Sequence, residues 1–423
     1  MMKKLFILIL AAWTCNASAQ NNVNYDETQV PSFTLPNLLE CNDGTIVTSP
    51  QEWETKRRPE ILEYFFSQEY GRTRHDKVSV SYKTLTENTH ALNGKATLRQ
   101  VSITFSGAGT TLETIAMTLV PNQRKGRVPV FVAYNFKGNH STLTDTTIVY
   151  SPGFRLVKKP DDPDWKRGCQ MNRWAYDKII DRGYAVITMC YNDIYPDAKG
   201  KEMLDHSVCA LFPDHALNDT RSDAWRAIGA WAWGSSRLVD YLQTQDWADL
   251  DRIAIMGHSR QGKAALWAGA QDPRFRVVIS NCSGCSGAAL AKRVYGENIG
   301  VITRSFPWWF CPMYSFYAGN EAAMPFDQHE LIALIAPRHV YVASAAEDNW
   351  ADQKGEFLAT SYAEPVYRLY GMTGLNTTEW PGLHQPIMHD AGYHIRAGIH
   401  DVTDYDWERF MDFCDLHFSA TNH

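Results

Sequence analysis

Five short segments constrain this chain most: "VPVFVAYNF" from Val128, "YAVITMCYN" from Tyr184, "RIAIMGHS" from Arg252, "RVVISNCS" from Arg276 and "RHVYVASAAED" from Arg338 are almost continuously apolar. A strand covered on one face alternates apolar and polar side chains, whereas a parallel strand covered on both faces needs few polar positions. Between the segments lie stretches of helical composition, notably "SDAWRAIGAWAWGSSRLVDYLQTQ" and "GKAALWAGAQ". Strand and helix in alternation predict a doubly wound, mostly parallel sheet with helices on both faces, a three-layer α/β/α arrangement.

The sequence before residue 128 reads differently. "RRPEILEYFFSQEYG" has the spacing of an amphipathic helix, and "KVSVSYKTL", "KATLRQVSITF" and "LETIAMTLVP" alternate as antiparallel strands do. At the other end, Trp407, Phe410, Met411, Cys414 and Phe418 recur at helical spacing and predict a terminal helix against the sheet. A large α/β domain with insertions can reach 423 residues, and no internal repeat divides the chain, so residues 20–423 are expected to form one catalytic domain. Residues 1–19 read as a secretory signal peptide: Lys3 and Lys4, a short apolar run, then Ala17-Ser18-Ala19 at the cleavage point. That run is too short to span a bilayer, and Trp13-Thr14 ahead of Cys15 do not suit a lipid-anchor site. Export to the periplasm or the medium is the expectation.

A formal charge of −6 provides no footprint for nucleic acid or an anionic membrane. Aromatic residues make up 12% of the chain, which suits flat sugar faces and large cores equally. Past the leader the cysteines, at 41, 169, 190, 209, 282, 285, 311 and 414, are too scattered for a disulfide scaffold. Cys282 and Cys285 form a C-x-x-C with no second Cys or His pair at ligand spacing, so they are read as buried thiols and no metal is expected.

"GHSRQGK", residues 257–263, sets Ser259 between Gly257 and Gly262, one residue longer than a G-x-S-x-G nucleophile elbow. Ser259 nevertheless follows an apolar strand and precedes a helix of small residues. At such a turn the hydroxyl projects above the sheet, and the next N–H faces a developing oxyanion. A serine there can also cap the helix, but strand, turn and helix occur together in the order of an α/β-hydrolase fold. That fold supplies an acid after a late strand and a histidine before the last helix. "RHVYVASA" runs into Glu347 and Asp348, and His384, His389, His394 and His400 follow. His400, immediately before the terminal helix, is the expected base.

"NFKGNH", "RGYAVITMCYNDIYPD", "MGHSRQGKAALWAGA", "NCSGCSGAAL", "FPWWF", "EDNWADQKGEF" and "GYHIRAGIHDVT" together resemble carbohydrate esterase family fifteen, the glucuronoyl esterases, from about residue 50 to the C-terminus. The resemblance implies cleavage of the ester between 4-O-methyl-glucuronic acid branches of xylan and lignin alcohols. It implies that Arg260 supplements the oxyanion donors, that Lys263 and Glu297 grip sugar hydroxyls, and that Trp350 reaches the uronate. It also selects Asp348, two residues before that tryptophan, over Glu347. Two departures from the fungal members stand out. Cys282 occupies the place of their triad glutamate, and His258 and Asp401 stand where they carry a disulfide.

The mechanism so implied is two-step acyl transfer, with neither cofactor nor metal. Glucuronoxylan and lignin–carbohydrate esters are the expected partners of a monomer. Alternatives at this point are an acetyl-xylan or related carbohydrate deacetylase of the same fold, and a catalytically silent polysaccharide-binding protein. Arg260 with Lys263 speaks against the first, and an intact Ser259, Asp348 and His400 against the second.

Overall fold

The computed structural model of the chain describes residues 23–159, 161–213 and 221–418. The expected leader lies outside them. The strands are β1 (Ser79–His90), β2 (Ala96–Gly107), β3 (Thr110–Pro121), β4 (Val128–Asn135), β5 (Ala185–Cys190), β6 (Ala248–His258), β7 (Val277–Asn281), β8 (His339–Ala345), β9 (Ile387–Met388) and β10 (Ala391–Arg396). Among the described residues they form one sheet in the order β1-β2-β3-β5-β4-β6-β7-β8-β10-β9. The strands from β5 to β10 in that order run parallel, while β1, β2 and β3 pair antiparallel and β9 closes the far edge antiparallel. This is the α/β-hydrolase arrangement the sequence predicts, with its antiparallel opening.

The near-continuous apolar runs are strands that feed two cores at once. On β4, Val130 and Val132 face one core and Phe131 and Ala133 the other, and none is more than 2% exposed. On β6, Ile253 and Ile255 alternate with Ala254 and Met256 in the same way. Burying such a side chain is worth about 1.5–3 kcal/mol, so a polar residue at any of these positions would be costly. One core is covered by α1 (Arg58–Gln68), α2 (Ala227–Leu242), α3 (Arg260–Gln271) and α4 (Gln353–Tyr362), the other chiefly by α5 (Asp404–Phe418). The apolar residues that predict α5 are all buried.

Strands β9 and β10 lie in a stretch where the sequence shows only a run of histidines. "AGYHIR" hides its strand character because His394 and Arg396 are polar, yet both are buried. Tyr341 Oη and Asp406 flank the His394 ring at 3.0 and 2.9 Å, and Arg396 Nε donates to Asp406 at 2.7 Å. Paired in this way, polar groups can occupy a core position without an orphaned charge. The order of the strands reverses around β4, and ligands of open α/β sheets bind at the carboxyl ends of strands near such a point.

Candidate active site

Four consecutive parallel strands of the sheet deliver the expected residues to one edge. Ser259 follows β6 with φ +57° and ψ −129°, a backbone conformation that non-glycine residues rarely hold. Its amide donates to Asn281 O at 2.8 Å, while its carbonyl accepts from Gly262 N at 2.8 Å. Gly257 is required, since a Cβ there would sit 1.9 Å from Gln261 O. The second glycine of the motif falls one position late because the close approach is at residue 262. A Cβ on Gly262 would meet Ser283 Cβ at 2.8 Å and Ser280 Oγ at 3.0 Å. Arg260 is the first residue of α3, so its amide is among those that a helix leaves without an intrahelical partner.

Beyond the end of β8, Asp348 Oδ2 lies 2.5 Å from His400 Nδ1. The carboxylate is 5% exposed, whereas the imidazole is half-buried. Engaging Nδ1 leaves Nε2 as the basic nitrogen. Glu347 is exposed, and its amide merely bonds Gly398 O at 3.0 Å. Cys282 is buried with φ +48°, its sulfur within 4.8 Å of the Asp348 and His400 ligand atoms. Burial first, then the carboxylates of Glu356 and Asp348, push its thiol well above the usual range, so it brings no charge to the histidine. The other three histidines lie elsewhere. His394 is in the core, His384 accepts from Ala397 N, and the carbonyl of His389 meets His417.

Sequence reasoning missed what ties the elbow to the histidine loop. Besides receiving the Ser259 amide, Asn281 donates from Nδ2 to Asp401 O at 3.0 Å and to His258 Nδ1 at 2.9 Å. His258 in turn packs its ring 4.5 Å from that of His400. Burial first, and then the neighbouring His400, Arg173 and Arg396, hold His258 well below the ordinary imidazole range, so it is neutral packing. Arg396 fastens the same loop, donating to Ile399 O at 3.2 Å and Asp401 O at 2.6 Å. The available signal was a polar Asn at the end of a buried strand.

Arg260 pairs with Asp197, a side chain 2% exposed that also accepts from Tyr191 Oη, Trp308 Nε1 and Trp309 Nε1 at 2.9, 2.8 and 2.7 Å. The guanidinium stacks over Trp309 at 4.7 Å and Phe306 at 5.4 Å. Its Nε is buried without a hydrogen-bond partner among the described residues. A planar cation so fixed, with donors to spare, suits an oxyanion.

Lys263 is buried, and its Nζ donates to the carbonyls of Ser283 and Cys285, the latter at 2.6 Å. Glu297 Oε2 stands 3.8 Å from that nitrogen, so the two form a buried pair and not a surface one. Burial raises the Glu297 pKa, opposed by the charge of Lys263 and a hydrogen bond from the Trp350 side chain. The Glu297 amide also donates to Trp350 O at 2.9 Å, while the indole itself is 41% exposed. The structure thus brings Lys263, Glu297 and Trp350 together.

The family model "Glucuronyl esterase, fungi" matches residues 173–371. The chain is 39% identical to carbohydrate esterase MZ0003 of an unknown prokaryotic organism over 428 residues, 98% of each chain. It is similar in structure to a promiscuous CE15 esterase from a marine bacterial metagenome, with TM-score 0.84 and 39% identity over 94% of this chain and all of that one. The glucuronoyl esterase from Solibacter usitatus superimposes with TM-score 0.87 and 39% identity, covering 92% of this chain and all of that one.

Proposed function

The chain belongs to carbohydrate esterase family fifteen, the glucuronoyl esterases, and we propose that it hydrolyses the ester between 4-O-methyl-D-glucuronic acid of glucuronoxylan and lignin alcohols. As a member it is a carboxylic ester hydrolase. The observation that carries the assignment of roles is the 2.5 Å contact between Asp348 and His400 beside an elbow held at positive φ.

His400 Nε2 takes the Ser259 proton while Asp348 fixes the ring and stabilises the imidazolium. The Ser259 oxygen attacks the uronoyl carbonyl, and the charge that develops on the carbonyl oxygen is met by the Arg260 amide and guanidinium. His400 returns the proton to the departing alcohol. Water, activated by the same nitrogen, then releases glucuronate and frees Ser259. Lys263, Glu297 and Trp350 hold the sugar and take no part in proton transfer.

Export to the periplasm or the medium, action as a monomer and freedom from membranes complete the reading. It is supported by the leader-like residues 1–19 and by the finding that no described helix is long and apolar enough to cross a membrane. The test is turnover of benzyl glucuronate beside that of an acetyl ester. Preference for the glucuronate ester is expected, and turnover of the acetyl ester alone would replace this reading with a deacetylase.

A further inference from the structure

The N-terminal arm, from Asn24 to Glu27, is laid against the sugar-side residues. Asn24 O accepts from Gly296 N at 2.8 Å, one residue before Glu297. Glu27 spans Arg293 at 2.5 Å and Lys354 at 3.0 Å, and Arg293 in turn donates to Asp352 at 2.9 Å. The arm therefore clamps two segments, 293–297 and 349–354, that present Glu297 and Trp350. These segments are themselves in close contact: a Cβ on Gly296 would fall 2.5 Å from Trp350 O, and Gly296 holds φ +63°. Between its two anchors the arm presents Tyr25, edge-on to Tyr295 with ring centroids 6.3 Å apart and still 50% exposed. An aromatic side chain left half in solvent while its neighbours on both sides are tied down is placed to meet a ligand.

We propose that Tyr25, on the arm that clamps the segments carrying Glu297 and Trp350, is a substrate-contact residue whose ring forms part of the wall against which the uronate ring packs. Its phenol is raised in pKa, by burial first and then by the carboxylates of Asp348 and Glu297. The proposal rests on the glucuronate-ester reading above, and on Tyr25 acting on the sugar and not on the acyl chemistry.

The test is KM and kcat of the full chain for benzyl glucuronate and for p-nitrophenyl acetate in the wild type, Tyr25→Ala and Tyr25→Phe. Tyr25→Ala is expected to raise KM for the glucuronate about 10-fold with kcat held within about 2-fold, leaving acetate unchanged, and Tyr25→Phe to restore the wild-type KM. Glu27→Gln, which loosens the clamp without touching the ring, is expected to raise the same KM about 3-fold. An unchanged glucuronate KM in Tyr25→Ala, an equal loss on acetate, or a Phe variant as impaired as the Ala variant would overturn the proposal. A wild type inactive on benzyl glucuronate but active on acetate would fail the substrate reading, a result separate from any of these.

Discussion

The site has two corners that handle charge in opposite ways. In the Asp348–His400 corner the ring and its loop are both held at close range: the carboxylate holds Nδ1 at 2.5 Å, and Asn281 and Arg396 pin the loop through main-chain oxygens. In the Lys263–Glu297 corner the pair stands 3.8 Å apart, because the ammonium is spent on the carbonyls of Ser283 and Cys285. Glu297 is left with a hydrogen bond from Trp350 and a carboxylate not fully used. A base needs one fixed geometry through the reaction, so its ring and its loop are both tied down. A sugar-binding carboxylate must keep acceptor capacity for an incoming hydroxyl, and burial without saturation makes that hydroxyl welcome. The two corners should therefore respond differently to the choice of ester.

The largest effect is expected at the point the corners share. Ser259→Ala removes the proposed nucleophile for any ester, and kcat should fall about 10⁶-fold, as when a triad serine is deleted, on both benzyl glucuronate and p-nitrophenyl acetate. The circular-dichroism melt should not move, because this hydroxyl packs no core. Next comes the acid. Asp348→Asn should lower kcat about 10⁴-fold on both esters, the loss seen when an orienting aspartate is neutralised in a serine protease. Glu347→Gln, on an exposed side chain, should stay within about 2-fold of the wild type.

A smaller loss is expected from Asn281→Ala, which cuts the tie between the elbow and the histidine loop. Removing a buried donor of two hydrogen bonds should cost about 1–3 kcal/mol in urea unfolding and about 10-fold in kcat, equally on both esters. Were the kinetic loss confined to glucuronate, Asn281 would belong to the sugar corner.

Much of this was legible in the sequence, for reasons that differ by element. The parallel strands declare themselves because burial on both faces removes polar positions, as Val130 to Ala133 show. Helix α5 declares itself by spacing. The strand β10 does not, since His394 and Arg396 look like surface residues until Asp406 is placed between them, and Asp406 sits on a different element. Ser259, His400 and the Glu347–Asp348 pair follow from strand order, and only the family resemblance selects Asp348 of the two. Lys263 illustrates the limit: the family resemblance implies a sugar ligand, but the turn after β7 folds two carbonyls over its ammonium, and nothing in "NCSGCSG" announces that turn. For the same reason Lys263→Ala would mix lost binding with lost stability and is a poor probe of the sugar corner.

Glu297→Gln is the better probe, for it keeps shape while removing the charge. The central claim is that one corner performs ester chemistry and the other recognises the sugar. It is tested most directly by the ratio of kcat/KM on benzyl glucuronate to that on p-nitrophenyl acetate, measured for wild type, Asp348→Asn and Glu297→Gln. The account predicts an unchanged ratio in Asp348→Asn and a ratio lowered about 10- to 100-fold in Glu297→Gln, the worth of a charge-assisted hydrogen bond. A Glu297→Gln variant that loses activity on both esters alike would contradict it.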